Sequence, residues 1–333
     1  MSNEKYIVLL DPALQDNEGK ESSNLGDLII SEHNIRLLAS LFPGTDLIRL
    51  SSHSFLDKKQ RELVKNSQFS FVGGSNLLYS DMITYRQFLL RKGKLLWLFP
   101  GIKQLILLGV GWGPDQNNKI NWRTKQLYRN ILYTSYAHSV RDHFTSHKLE
   151  KEVAIKTINT SCVSMWGLNG VSTVLNFRSS KCLFTLTDHK QDPINDDKLI
   201  TLLLEHFQNL YFFPQGSGDL AYIGSLDSYK KNKERFTLLQ HSYPVFNDFA
   251  GREDFVYIGT RLHGGIQALN KKRKALILAV DNRAGEIAKD TNLPVIRRDE
   301  YGKIRQWLNG EDVFGKPVTI PLEKIKQWKE QFS

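Results

Sequence analysis

The chain has 333 residues, more than one hydrophobic core usually serves. With 41% apolar, 11% aromatic and 24% charged residues it reads as a folded globular protein and not a disordered one. Its formal charge of +10 is scattered, and no recognisable nucleic-acid module accompanies it. No nucleic-acid partner is expected; the charge suits anionic small substrates or loose association with an anionic membrane surface.

Short β-branched or Leu-rich runs alternate with helical periods from the start. Strands are expected at Tyr6–Leu10, Leu47–Leu50, Phe69–Val72, Leu105–Val110, Ser139–Arg141 and Thr157–Asn159, with helices such as Asp27–Leu41 and Trp122–Tyr133 between them. Tyr6–Leu10 ends at Asp11 and is too short for a secretory signal. Leu95–Gly113 is mostly apolar, but Pro100-Gly101, Lys103 and Gln104 interrupt it, so it reads as two strands about a turn and not as a membrane span. Two cysteines, Cys162 and Cys182, are too few for a disulfide framework and lack metal-ligand spacing, which fits a reduced, cytoplasmic setting.

Gly167–Thr173, rich in small and polar residues, is the expected linker. The pattern then restarts with Cys182–Thr187 as a strand and a helix capped by Asn195, with Asp196 and Asp197 in its first turn. Strands Leu210–Phe213, Phe236–Leu239, Phe255–Ile258 and Ala275–Val280 follow. Leu322, Ile325, Trp328 and Phe332 mark a C-terminal helix. The alternation predicts an α/β fold of two Rossmann-like domains facing a cleft, residues 1–168 and 174–333, with the last helix able to pack back on the first.

Candidate chemistry gathers at strand ends, where such sheets bind ligands. Gly259-Thr260-Arg261-Leu262-His263-Gly264-Gly265 follows an apolar run and opens a helix, so the backbone from Leu262 to Gly264 forms an anion site beside an Arg and a proton donor. Asn24-Leu25-Gly26-Asp27 precedes the first long helix and offers Asp27 as a base or a cap. Gly73-Gly74 permits close approach of a ligand to the backbone. In Ser139-Val140-Arg141-Asp142, Asp142 is expected to cap the next helix and leave Arg141 free; Asp281-Asn282-Arg283-Ala284 brings Arg283 beside the Arg-His turn. Arg141, Arg261 and Arg283 around His263 suit a ligand carrying carboxylate and phosphate.

Gly109, Gly111 and Gly113 are spaced G-x-G-x-G with Pro114 next and no clear acidic ribose partner, so no nicotinamide dinucleotide is expected. His143 and His147 are four apart but lack a third ligand, and no metal is expected.

This ordered set resembles the polysaccharide pyruvyl transferase family. The matching pieces are Asn24-Leu25-Gly26-Asp27, Gly73-Gly74, Ser139-Val140-Arg141-Asp142, Cys162-Val163-Ser164-Met165-Trp166-Gly167-Leu168, Arg261-Leu262-His263 and Asp281-Asn282-Arg283-Ala284. The resemblance implies a GT-B-like architecture. It implies transfer of the pyruvyl unit of phosphoenolpyruvate to a sugar diol as a cyclic ketal, without a cofactor. The acceptor it implies is a sugar, a glycan or a lipid-linked glycan, handled in the cytoplasm or at the inner membrane face.

The implied roles are His263 as general acid, Arg261 and Arg141 as clamps on phosphate and carboxylate, and Asp27 as a candidate base; Asn24, Gly73, Gly74, Leu262, Gly264 and Arg283 fall among the binding residues. The chain departs from the family at Cys162-Val163-Ser164, where C-P-[ST] is common, and at Val280-Asp281-Asn282-Arg283, where Tyr-x-x-Lys is common. Arg283 is then the cationic substitute. A GT-B glycosyltransferase using a nucleotide sugar is the second reading, and a glycan-binding module without catalysis the third.

Overall fold

The computed structural model describes residues 5–85, 104–114, 117–174 and 179–333. They form two compact units. The first comprises Met1–Ser22, Ile30–Trp166 and Pro321–Ser333; the second comprises Ser23–Ile29 and Gly167–Ile320.

In the first unit, β1 (Tyr6–Asp11), β2 (Asp46–Ser51), β3 (Phe69–Gly73) and β4 (Leu105–Leu108) make a parallel sheet of order β2-β1-β3-β4. β5 (His138–Val140) and β6 (Thr157–Asn159) pair in parallel, and a single bridge, Val110 to Val140, ties β5 to the segment after β4. The runs alternate with period two. Val8, Leu10, Val72, Leu105 and Leu107 enter one core cluster; Ile7, Leu9, Phe71, Ile106 and Leu108 enter another on the opposite face. A sheet apolar on both faces needs helices on both, which is why the strands read as unbroken apolar runs. Only β4 of the expected Leu95–Gly113 pair falls among the described residues.

The C-terminal helix, Leu322–Glu330, packs on this first unit, so the second unit ends at Ile320. Trp328 is fully buried edge-on to Phe71, and its indole N–H donates to the Ala137 carbonyl at 3.0 Å.

The second unit holds β7 (Lys181–Thr185), β8 (Asn209–Phe212), β9 (Phe236–Leu238), β10 (Val256–Gly259), β11 (Lys274–Ala279) and β12 (Val295–Arg297) in one parallel sheet, order β12-β11-β10-β7-β8-β9. Its core is built on Phe184, Phe212, Ile258, Leu276 and Trp307.

Several local expectations are corrected. The helix expected to be capped by Asn195 starts at Pro193; Asp192 is its cap, accepting from the Asn195 amide at 3.2 Å, and proline takes the first turn, where its missing N–H costs nothing. Helix Leu25–Leu41 starts two residues before Asp27, and Trp122–Ile131 ends two before Tyr133. Gly167–Thr173, the expected linker, opens the second unit's main segment and is tied into it. The Gly170 amide donates to the Val318 carbonyl and the Val318 amide to the Val171 carbonyl, both at 2.8 Å, and the Trp307 indole donates to the Thr173 carbonyl at 2.7 Å. Small polar residues at this place free the backbone to pair with the returning chain.

Candidate active site

The second sheet reverses its strand order between β7 and β10: β7, β8 and β9 run outward one way, β10, β11 and β12 the other. Ligands of doubly wound sheets bind beyond the carboxyl ends at such a reversal, because the two loops there diverge and leave a crevice. The loops in question follow Thr185 and Gly259. They carry Asp188 and His189 on one side, Arg261 and His263 on the other.

Arg261 is buried. Its Nε donates to Asp219 Oδ2 at 3.1 Å, and its Nη2 donates to Asp188 Oδ1 at 3.0 Å and also to Asp219 Oδ1. Asp219 is fully buried and accepts in addition from the backbone N–H groups of Gln215 (2.9 Å), Gly216 (2.8 Å) and Asp188 (3.0 Å). Two carboxylates therefore already share this guanidinium. Fixing a buried guanidinium requires a partner, since an isolated buried charge is prohibitively costly. Burial opposes ionisation of Asp188, but hydrogen bonding at Asp219 and the Arg261 charge outweigh it and hold the carboxyl below its usual range.

Tyr257, fully buried in β10, bonds Thr185 Oγ1 at 2.7 Å and donates to the Arg261 carbonyl at 2.8 Å, fixing the turn from beneath. A Cβ on Gly264 would come within 2.7 Å of both the Tyr257 hydroxyl and Gln215 Oε1. Gly264 thus makes room for the protein's own side chains at this turn. Leu262 and His263 are half-buried in the first turn of helix Leu262–Asn270.

The Asn24–Asp27 turn belongs to this same unit and lies beside His263. A Cβ on Gly26 would sit 3.5 Å from His263 Nδ1, 3.2 Å from Asn24 Oδ1 and 2.9 Å from Gln215 Nε2. Asn24 takes the capping place: its Oδ1 accepts from the Gly26 amide at 3.2 Å, and its Nδ2 donates to Asp27 Oδ2 at 3.2 Å. Asp27 is consequently not the cap. It is a buried carboxylate in the first helical turn, where the helix dipole favours negative charge.

Arg283 is half-exposed and donates through Nε to Asp281 Oδ2 at 2.8 Å, while Asp281 Oδ1 caps the following helix through the Arg283 amide at 3.0 Å. Burial, then the charges of Arg261 and Arg283, push the His189 imidazole below its ordinary value, so it is neutral at neutral pH. Its Nδ1 lies 2.5 Å from Thr187 Oγ1.

On the first unit, Asp142 does cap its helix, accepting from the Thr145 amide at 2.7 Å. Arg141 is not left free: it is 3% exposed, with Nε 3.3 Å from Asp142 Oδ2 and its guanidinium laid over Gly111, where any Cβ would collide with it. Gly111 is a glycine for that reason, and Gly113 for the Tyr79 ring. Gly73 and Gly74 are likewise filled by the chain itself: a Cβ on Gly73 would stand 2.7 Å from Asn34 Nδ2, and one on Gly74 would strike Ile30. His143 and His147 are exposed with rings 6.1 Å apart, and among the described residues no group of three or more His, Cys, Asp or Glu is placed to hold a metal. Both cysteines are buried and neither is in a disulfide.

Sequence reasoning missed Asp219, Asp188, His189 and Gln215. The Gly216-Ser217-Gly218 run ahead of Asp219 was the available signal. A Cβ at Gly216 would collide with the Arg261 guanidinium and one at Gly218 with Asp188.

The family model described as polysaccharide pyruvyl transferase matches residues 24–282. Among solved structures, the chain is similar to the Methanocaldococcus jannaschii UDP-GlcNAc 2-epimerase in complex with UDP-GlcNAc and UDP, at TM-score 0.51 and 8% identity over 98% of this chain and 99% of that one. S. aureus MnaA, solved with UDP, gives 0.44 and 10% over 94% and 93%. E. coli heptosyltransferase WaaC, with an ADP-2-deoxy-2-fluoro heptose, gives 0.37 and 11% over 82% and 88%. The comparison with curated proteins gave no match. At these identities the structural likeness shows the fold alone, a two-domain GT-B-like α/β architecture.

Proposed function

Because the chain belongs to the polysaccharide pyruvyl transferase family, we propose that it transfers the pyruvyl unit of phosphoenolpyruvate to two hydroxyls of one sugar. The reaction balances as phosphoenolpyruvate plus diol giving cyclic ketal plus phosphate. His263 delivers a proton to the terminal methylene, and the adjacent carbon gains cationic character. One sugar hydroxyl adds there and loses its proton, phosphate departs, and the second hydroxyl closes the ring. Asp27, beside the His263 turn, is the group assigned to take the hydroxyl proton. Proton transfer and phosphate departure are within the reach of side chains, so the reading includes no cofactor.

The observation that carries this reading is the position of His263: first turn of a helix, at the strand-order reversal, with the Asn24–Asp27 turn against it. Arg261, shared between Asp188 and Asp219, acts mainly as the strut that fixes this turn; its Nη1, without a hydrogen bond among the described residues, is the part offered to the donor. Arg283 is a second guanidinium at this rim, held by Asp281; the resemblance also implies a clamp role for Arg141, which lies buried in the first unit.

The test combines phosphoenolpyruvate with a panel of sugars and follows acceptor mass for the addition of one pyruvate less one water. His263→Gln is expected to leave donor affinity within a few-fold and to lower kcat by roughly 10²-fold or more. Near-normal turnover in that variant removes His263 from the mechanism. Thermal stabilisation by UDP-sugars but not by phosphoenolpyruvate would transfer the case to a nucleotide-sugar glycosyltransferase.

A further inference from the structure

A second concavity lies on the same rim of the second unit, at the carboxyl ends of β11 and β12. It encloses about 320 Å³ and is lined by Asp192, Asn195, Asp281, Arg297, Arg298 and Asp299 among others. β11 is the direct neighbour of β10, whose end carries Arg261 and His263. With strands spaced about 4.8 Å apart, the cavity is displaced from that turn by roughly 5–10 Å along the rim.

Its charges are spoken for internally. Arg297 forks onto Asp299 at 3.0 and 2.6 Å. Arg298 donates to the Lys190 carbonyl at 2.9 Å and to Asp196 at 3.2 Å, and lies 3.6 Å from Asp192. Asp281 holds Arg283. Three carboxylates against two guanidiniums line the wall, so a phosphate or carboxylate would meet no surplus positive charge. A metal is not favoured either, since among the described residues no three carboxylates or imidazoles are grouped for one. The wall thus combines carboxylates that accept, guanidiniums that donate and the Asn195 amide, which donates to Asp192 at 2.6 Å and accepts from the Tyr301 hydroxyl at 3.1 Å. Vicinal hydroxyls match such groups because each O–H donates to a carboxylate while accepting from an amide or guanidinium. The volume is at the small end of ligand cavities, the scale of one sugar ring.

We propose that this cavity is a saccharide subsite, holding one neutral sugar unit of the acceptor glycan next to the unit presented to His263. Its role as an acceptor subsite rests on the pyruvyl-transfer reading, whereas its ligand class rests on the cavity alone. The test therefore contains no phosphoenolpyruvate: backbone amide shifts of Asp281 and Asp299 are followed while methyl galactoside, methyl mannoside and methyl glucoside are titrated. UMP, inorganic phosphate and glucosamine serve as the anionic and cationic probes. At least one neutral glycoside is expected to shift both amides saturably.

The double variant Arg297→Ala/Asp299→Ala removes both partners of an exposed pair, so it strands no charge. It is expected to weaken that binding about tenfold, equivalent to about 1.4 kcal/mol. Silence of both amides toward all three glycosides overturns the proposal. So does a response only to UMP, phosphate or glucosamine, or unchanged affinity in the double variant. Sugar binding here combined with no pyruvyl product in the separate transfer assay would leave the subsite standing and count against the transfer reading.

Discussion

Replacing Asp219 by alanine isolates the contact on which the candidate site is built. The carboxylate is fully buried and five donor groups converge on its two oxygens: Arg261 Nε and Nη2, and the amides of Gln215, Gly216 and Asp188. Truncation leaves a buried guanidinium with only Asp188, itself about one-third exposed, and three amides without an acceptor. Breaking a buried pair from one side costs about 3–5 kcal/mol. Asparagine is no rescue, because its amide adds two donors to a place already crowded with donors.

Arg261→Ala is expected to cost less, about 1.5–3 kcal/mol, because the same three amides still solvate the Asp219 carboxylate. The double variant should fall short of the sum by about 1–3 kcal/mol, the coupling expected of groups in one network. Urea unfolding of the four proteins, with the m-value checked for constancy, supplies the cycle. Strict additivity, or an Asp219→Ala cost under about 1 kcal/mol, would refute the strut assigned to Arg261.

Two further outcomes follow from the first unit. His138, buried in β5 with Nδ1 accepting from the Leu107 amide at 3.1 Å, is pushed by burial down to about 4. The unfolded chain takes up its proton near pH 6.5 and the folded one only near pH 4, so stability is full above 6.5 and falls as pH drops between those values. The loss at pH 5 relative to pH 7 is about 2 kcal/mol, which should vanish from the urea-measured difference in His138→Asn; an equal pH slope in both proteins would refute it. Gly111→Ala forces the Arg141 guanidinium from its seat. A stability loss of about 1–3 kcal/mol is expected with lowered pyruvyl transfer, and an inert substitution would show that the seat has no consequence.

The strand and helix alternation was legible in the residues alone, because both faces of each parallel sheet are buried and the strands must read as continuous apolar runs. So were the strand-end position of His263 and the grouping of Asn24 to Asp27 with a helix start, since glycines and capping residues act over a few neighbours. The burial of Arg141, Gly73 and Gly74 was not: a glycine shows that something comes close, not whether that is a ligand or Ile30, Asn34 and the Arg141 side chain. Nor was the charge state of the Arg261 turn legible. Asp188 and Asp219 lie 73 and 42 residues away in the chain and meet Arg261 only because β7, β8 and β10 bring their carboxyl ends to one rim. Whether a guanidinium is an open clamp or a buried strut depends on its partners and its burial, and tertiary packing alone sets both.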